Sequence, residues 1–99
     1  MPDPAYPLLV FFTSRRSGPA RRMESLLAHI ARKERDSLRV KRVDVDERPA
    51  LADRFRVSEV PSLVLVKGRR VVGRLDGRST APEIEALLDR HLRAEPATA

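Results

Sequence analysis

Five consecutive apolar residues, Leu8-Leu9-Val10-Phe11-Phe12, begin the patterned part of this chain. The run is continuous rather than alternating, which is how a strand covered on both faces reads, so it predicts a central strand. Gly18-Pro19 marks a turn into a helix, and Met23, Leu26, Leu27 and Ile30 recur at the spacing of one helical face. That helix is predicted from about Pro19 to about Arg35. Leu38 to Val45 mixes Val40, Val43 and Val45 with Arg39, Lys41, Arg42 and Asp44, a pattern suited to a strand at a sheet edge. Pro49 is placed to open a short helix with Leu51, Ala52 and Phe55 facing inward. Leu63 to Val66 and Val71 to Asp76, separated by Gly68, predict a hairpin. Thr80-Ala81-Pro82-Glu83 has capping-box spacing, and Ile84, Leu87, Leu88 and Leu92 continue one face of a last helix ending near Arg93.

The predicted order is β-α-β-α-β-β-α. Its first connection is a right-handed crossover, so the first two strands are parallel, and the hairpin adds antiparallel strands. The expected fold is α/β: a mixed four-stranded sheet, with the first and last helices on one face and the short helix on the other. Residues 1–7 and 94–99 read as disordered terminal segments. That leaves 8–93 as one domain, and 99 residues suffice for a modest core.

Composition narrows the chemistry. Lys and Arg number 20 against 14 Asp and Glu, a formal charge of +6, and seventeen of the cations are Arg. Such a charge suits an acidic partner, a nucleic acid or an anionic surface, but both halves of the chain are positive and no basic block stands apart. There is no cysteine, hence no disulfide, thiolate or sulfur ligand. His29 and His91 lack a second ligand at metal-binding spacing, so neither a metal nor another cofactor is predicted. The apolar run at Leu8 is far too short to span a bilayer, and MPDPAY lacks a basic leader, so a cytoplasmic location without membrane association is the expectation.

The element order and four landmarks resemble the thioredoxin family over Leu8 to Leu92. Gly18-Pro19 matches the middle of its Cys-Gly-Pro-Cys turn, and Val45-Asp46-Glu47-Arg48-Pro49 resembles its Ile-Asp-x-x-Pro segment. Val60-Pro61 resembles its Ile-Pro, where the proline is cis, and Gly77 matches the glycine before its last helix. The resemblance implies a trimmed thioredoxin-like three-layer sandwich lacking the family's extra N-terminal strand and helix. The departures fall on the chemistry. Ser17 and Ala20 stand in the two cysteine positions, Phe11 replaces a buried aspartate that moves protons for the second cysteine, and Arg16 replaces a tryptophan. Ser25 replaces a helix-kinking proline, and Arg42 falls where the family has a lysine paired with that aspartate. An inward Arg42 would need a new partner, with Asp44 a candidate; an outward side chain, or Lys41 in its place, is the alternative.

Thiol–disulfide exchange requires a thiolate, so the degenerate turn Ser17, Gly18, Pro19 and Ala20 cannot perform it. Ser17 reads as a helix N-cap, since a serine nucleophile needs a nearby base and neither histidine falls close to it. In the family, the backbone before the cis-proline pairs with an extended peptide. The resemblance therefore implies a protein or peptide partner on the face of Glu59, Val60, Pro61, Asp76 and Gly77. The alternative is an anion or nucleic-acid site made by Arg15, Arg16, Arg21 and Arg22 at the first helix N-terminus. Nucleic acid is not favoured, because no aromatic residue is interleaved with those arginines.

Overall fold

The computed structural model describes residues 6–93. Four strands form one mixed sheet in the order β2-β1-β3-β4, from β1 (Leu8–Thr13), β2 (Arg39–Asp44), β3 (Ser62–Lys67) and β4 (Arg70–Asp76). β1 pairs parallel with β2 and antiparallel with β3, and β3 pairs antiparallel with β4. The central place of β1 follows from its composition. Leu9 to Thr13 are buried, whereas the charged strand β2 takes an edge.

Helices α1 (Gly18–Arg22), α2 (Glu24–Lys33), α3 (Pro49–Arg54) and α4 (Ala81–Leu88) complete the layers, and a π-helical turn, Asp89–Arg93, continues α4. On one face Leu9, Phe11, Leu63 and Leu65 pack with Met23, Leu27 and Ile30 and with Ile84, Leu87 and Leu88. On the other, Val10, Phe12, Val43 and Val64 pack with Ala52 of α3. The β3–β4 reversal uses Gly68 at φ 67°, a left-handed conformation that glycine adopts without steric cost. Thr80 and Glu83 close the capping box: the Thr80 amide donates to Glu83 Oε1 at 2.8 Å, and the Glu83 amide donates to Thr80 Oγ1 at 3.3 Å.

Three local expectations change. The first helix is interrupted at Met23, whose amide donates to Ala20 O at 3.0 Å, a 3₁₀ bond tighter than the α-helical one. The apolar stripe stays in phase through that residue, so periodicity alone carries no trace of it. The last helix ends as an α-helix at Leu88 and finishes in the π turn. Tyr6 and Pro7, assigned above to a disordered segment, are instead held: Pro7 is buried, its carbonyl accepts from the Arg39 amide at 3.0 Å, and the Arg39 guanidinium lies 4.4 Å from the Tyr6 ring centroid. Residues 1–5 and 94–99 lie outside the described range.

Candidate functional site

Strand register brings the sequence-distant candidates to one end of the sheet. Phe12 pairs with Ser62, and Ser62 with Asp76, so the chain leaving β1, the chain entering β3 and the chain leaving β4 emerge side by side. The first becomes the Ser17–Ala20 turn, the second is Glu59-Val60-Pro61 and the third is Asp76-Gly77. β2 ends there too, adding the Val45–Arg48 loop.

Ser17 has extended backbone, and its hydroxyl accepts from the Ala20 amide at 3.1 Å, so it caps α1. Pro19 in the first turn suits a helix start because its missing N–H would be unsatisfied there. Ala20 is fully buried. The Ser17 amide donates to Ser14 O at 3.0 Å, closing the turn from the strand side. Neither histidine offers Ser17 a base. His29 is exposed on α2, and His91 lies against β4, where a Cβ at Gly73 would fall 3.0 Å from its Nε2.

The four arginines do not form one cluster. Arg16 donates to Asp46 Oδ1 at 3.2 Å, and Arg15 lies 3.7 Å from Glu47 Oε2, both acids in the loop after β2. The Ser14 hydroxyl donates to Asp46 Oδ2 at 2.6 Å and accepts from the Arg16 amide at 3.1 Å. The Ser14 bond, then the Arg16 guanidinium, hold the Asp46 carboxyl below its ordinary value, against a smaller opposing effect of burial. Arg21 and Arg22 are exposed on α1 and enter no salt bridge among the described residues. Arg22 turns back toward Gly18, where a Cβ would lie 3.5 Å from its guanidinium. Two of the four arginines of the expected anion site thus already face a carboxylate of the protein itself.

Arg42 finds its partner across the layers. Its Nε donates to Glu24 Oε1 at 3.0 Å and Oε2 at 3.2 Å, and Glu24 Oε2 also accepts from the buried Thr13 hydroxyl at 3.3 Å. Asp44 is occupied elsewhere, taking the Asp46 amide at 2.8 Å to shape the loop, so it does not serve as the counter-ion. Phe11, directly across the ladder from Arg42, is 1% exposed and belongs to the apolar core. The ionic contact has moved from the strand interior to the half-exposed rim between α2 and β2.

At the third loop the Val60-Pro61 bond is cis. Pro61 is buried, and its carbonyl accepts from the Gly77 amide at 2.8 Å. The Ser62 hydroxyl donates to Glu59 O at 2.7 Å. Gly77 has φ 85°, a left-handed conformation that favours glycine, and it lies against the Glu59 carboxylate, which a Cβ would meet at an ordinary contact distance of 3.4 Å. Val60 is half-buried, and no described residue hydrogen-bonds to its main-chain N–H or C=O.

Sequence reasoning missed Ser14, Glu24, Asp46 and Glu47. A signal existed for three of them: Ser14-Arg15-Arg16 and Asp46-Glu47 follow the ends of two strands predicted to be parallel neighbours, which sets opposite charges beside each other. Among the described residues no group of three His, Asp or Glu side chains is placed to hold a metal, and no helix is long and apolar enough to cross a membrane.

The thioredoxin family model matches residues 2–90. A thioredoxin of Alicyclobacillus acidocaldarius is 35% identical over 82 residues, 83% of this chain and 78% of that protein. A thioredoxin-like protein of Synechocystis is 34% identical over 86 residues, 87% and 79% of the two chains. Among solved structures, the germline-specific thioredoxin Deadhead of Drosophila melanogaster superposes with a TM-score of 0.83 at 23% identity, covering 89% of this chain and 83% of its own. That last likeness concerns the fold.

Proposed function

The chain belongs to the thioredoxin family, and on that premise we propose that it is a redox-inert member that binds an extended segment of a partner protein. The proposed surface is the sheet end formed by Ser17–Ala20, Glu59–Pro61 and Asp76–Gly77. Exchange at its own sulfurs is excluded, because the chain has no cysteine. The observation that carries the binding reading is the free main chain of Val60. Backbone polar groups that the protein leaves unpaired bond to water or to a partner, and a free pair beside a fixed proline is a template for one more strand-like partner. The Ser17 cap and the Pro61–Gly77 bond hold the flanking loops in place, so little ordering cost remains to be met on binding.

The test is capture of partners from native lysate on the immobilised chain, with Val60→Asp alongside. Val60 is half-buried in a loop, so the variant is expected to keep its fold, as circular dichroism would verify. Proteins retained by the wild type and lost with Val60→Asp support the reading; undiminished capture by the folded variant refutes it. Reversing Arg15, Arg16, Arg21 and Arg22 should leave that capture intact. Nucleic acid lost only with the charge reversal, with log affinity falling steeply against log salt, would favour the anion site instead. A cytoplasmic location belongs to the same proposal.

A further inference from the structure

The two faces of the sheet are unequally covered. α2 and α4 lie over Leu9, Phe11, Leu63 and Leu65, all buried. The opposite face carries α3, six residues long and therefore about 9 Å by helical rise. Register shows how far α3 reaches. Val43 and Phe12 form the row nearest the candidate site, Lys41, Val10, Val64 and Arg74 the next, and Arg39, Leu8, Val66 and Val71 the last. Phe55, at the end of α3, packs on Phe12 with ring centroids 5.7 Å apart. The carbonyls of Phe55 and Arg56 accept from Arg74 at 3.0 and 3.2 Å. α3 and its exit thus cover the first two rows and stop. Burial follows the same line: Val43, Phe12, Val10 and Val64 are buried, Leu8 and Val66 are half-buried, and Val71 is 48% exposed.

Positive charge borders the uncovered row. Arg39 ends it at the β2 edge, with its guanidinium over the Tyr6 ring, and Lys41 stands exposed one row up, in no salt bridge among the described residues. Neither of these two rows contains a carboxylate.

We propose that Leu8, Val66 and Val71, bordered by Arg39 and Lys41, dock an acidic amphipathic helix supplied by a partner protein. Its apolar side would rest on the three aliphatic residues and its carboxylates on the two cations. A helix suits the place because sheet faces in layered α/β folds are covered by helices, and four strands about 4.8 Å apart give a floor roughly 14 Å wide for a helix about 10 Å across. A second copy fits poorly, since face-to-face pairing would bring Arg39 and Lys41 of two chains, each of net charge +6, against one another.

The test titrates the ¹⁵N-labelled full chain with a synthetic peptide of about 15 residues carrying Leu at i, i+3, i+4 and i+7 and Glu elsewhere, and with its Lys-for-Glu counterpart. The Glu peptide should shift the amides of Leu8, Lys41, Val66 and Val71 and leave those of Ser17, Gly18 and Ala20 unmoved, while the Lys peptide should not bind. Val71→Asp, or Arg39→Glu with Lys41→Glu, should weaken binding by roughly tenfold or more. Val60→Asp should leave it unchanged, which separates this surface from the former active-site face. Shifts elsewhere, or full affinity in the charge-reversed variant, would overturn the proposal. So would binding to phosphatidylglycerol vesicles in place of the peptide, a concentration-dependent dimer abolished by Val71→Asp, or peptide binding that rises once residues 1–5 are removed. Those three results would assign the face to a membrane, a second copy and the chain's own N-terminal segment in turn.

Discussion

Replacing Phe11 by aspartate would return a carboxylate to the position where thioredoxins carry one, and the structure predicts that the domain cannot hold it. Phe11 is 1% exposed and packs in the cluster of Leu9, Leu27, Leu63 and Ile84. Truncating such a ring costs about 3–5 kcal/mol, and an ionised carboxylate there adds several kcal/mol more unless a partner is free. The cation across the ladder, Arg42, is already engaged by both oxygens of Glu24. Against a total stability of about 5–15 kcal/mol, Phe11→Asp should lose at least 4 kcal/mol at pH 7, roughly the whole of a marginal domain. Phe11→Leu should lose only about 1–2 kcal/mol. Burial raises the new carboxyl's pKa, so its penalty is greatest in the charged form, and the deficit should shrink as pH falls from 7 toward 5. Urea unfolding followed by far-UV circular dichroism reads this directly, the chain having no tryptophan. A Phe11→Asp protein as stable as wild type at pH 7 would refute the reasoning, because Phe11 would then not be a core residue.

Other expectations are smaller. Ser17→Ala removes the α1 cap and should cost about 0.5–2 kcal/mol, with Ser17→Gly costing only a few tenths, in the same urea assay. Gly77→Ala meets a left-handed backbone, and should destabilise by about 1–2 kcal/mol. The Asp46 carboxyl is held below its ordinary value, so its contribution to stability is present above the unfolded pKa and lost as pH falls through the folded one. Asp46→Asn should therefore flatten the loss of stability in the acid range below about pH 4, leaving the profile between pH 6 and 8 unchanged in shape.

Much of this architecture is written locally. The continuous run Leu8–Phe12 specifies a doubly covered strand, the charges among Val40, Val43 and Val45 specify an edge, and Gly68 and the Thr80–Glu83 box specify a reversal and a helix start. Each is decided by neighbours within a few residues. What stayed hidden depends on contacts between distant segments. Arg42 could not choose between Asp44 and an outward course until α2 placed Glu24 beside it. Ser14 carries no motif and the landmark around Asp46 names no partner, so their contact exists only because β1 and β2 end together. The break at Met23 is a single shortened hydrogen bond that leaves periodicity untouched. The candidate face was legible as a set of loops through the family resemblance, but the unpaired main chain of Val60 was not, since sequence gives no hydrogen-bond inventory.

The central claim is that a sulfur-free face still receives an extended partner at Val60. Its most direct test is amide hydrogen exchange of the chain, alone and saturated with a peptide from a captured partner. The account predicts that the Val60 amide is slowed on binding, together with the amides of Ser17, Gly18 and Ala20, while β2 is unaffected. A peptide that binds with the Val60 amide exchanging as freely as before would contradict it.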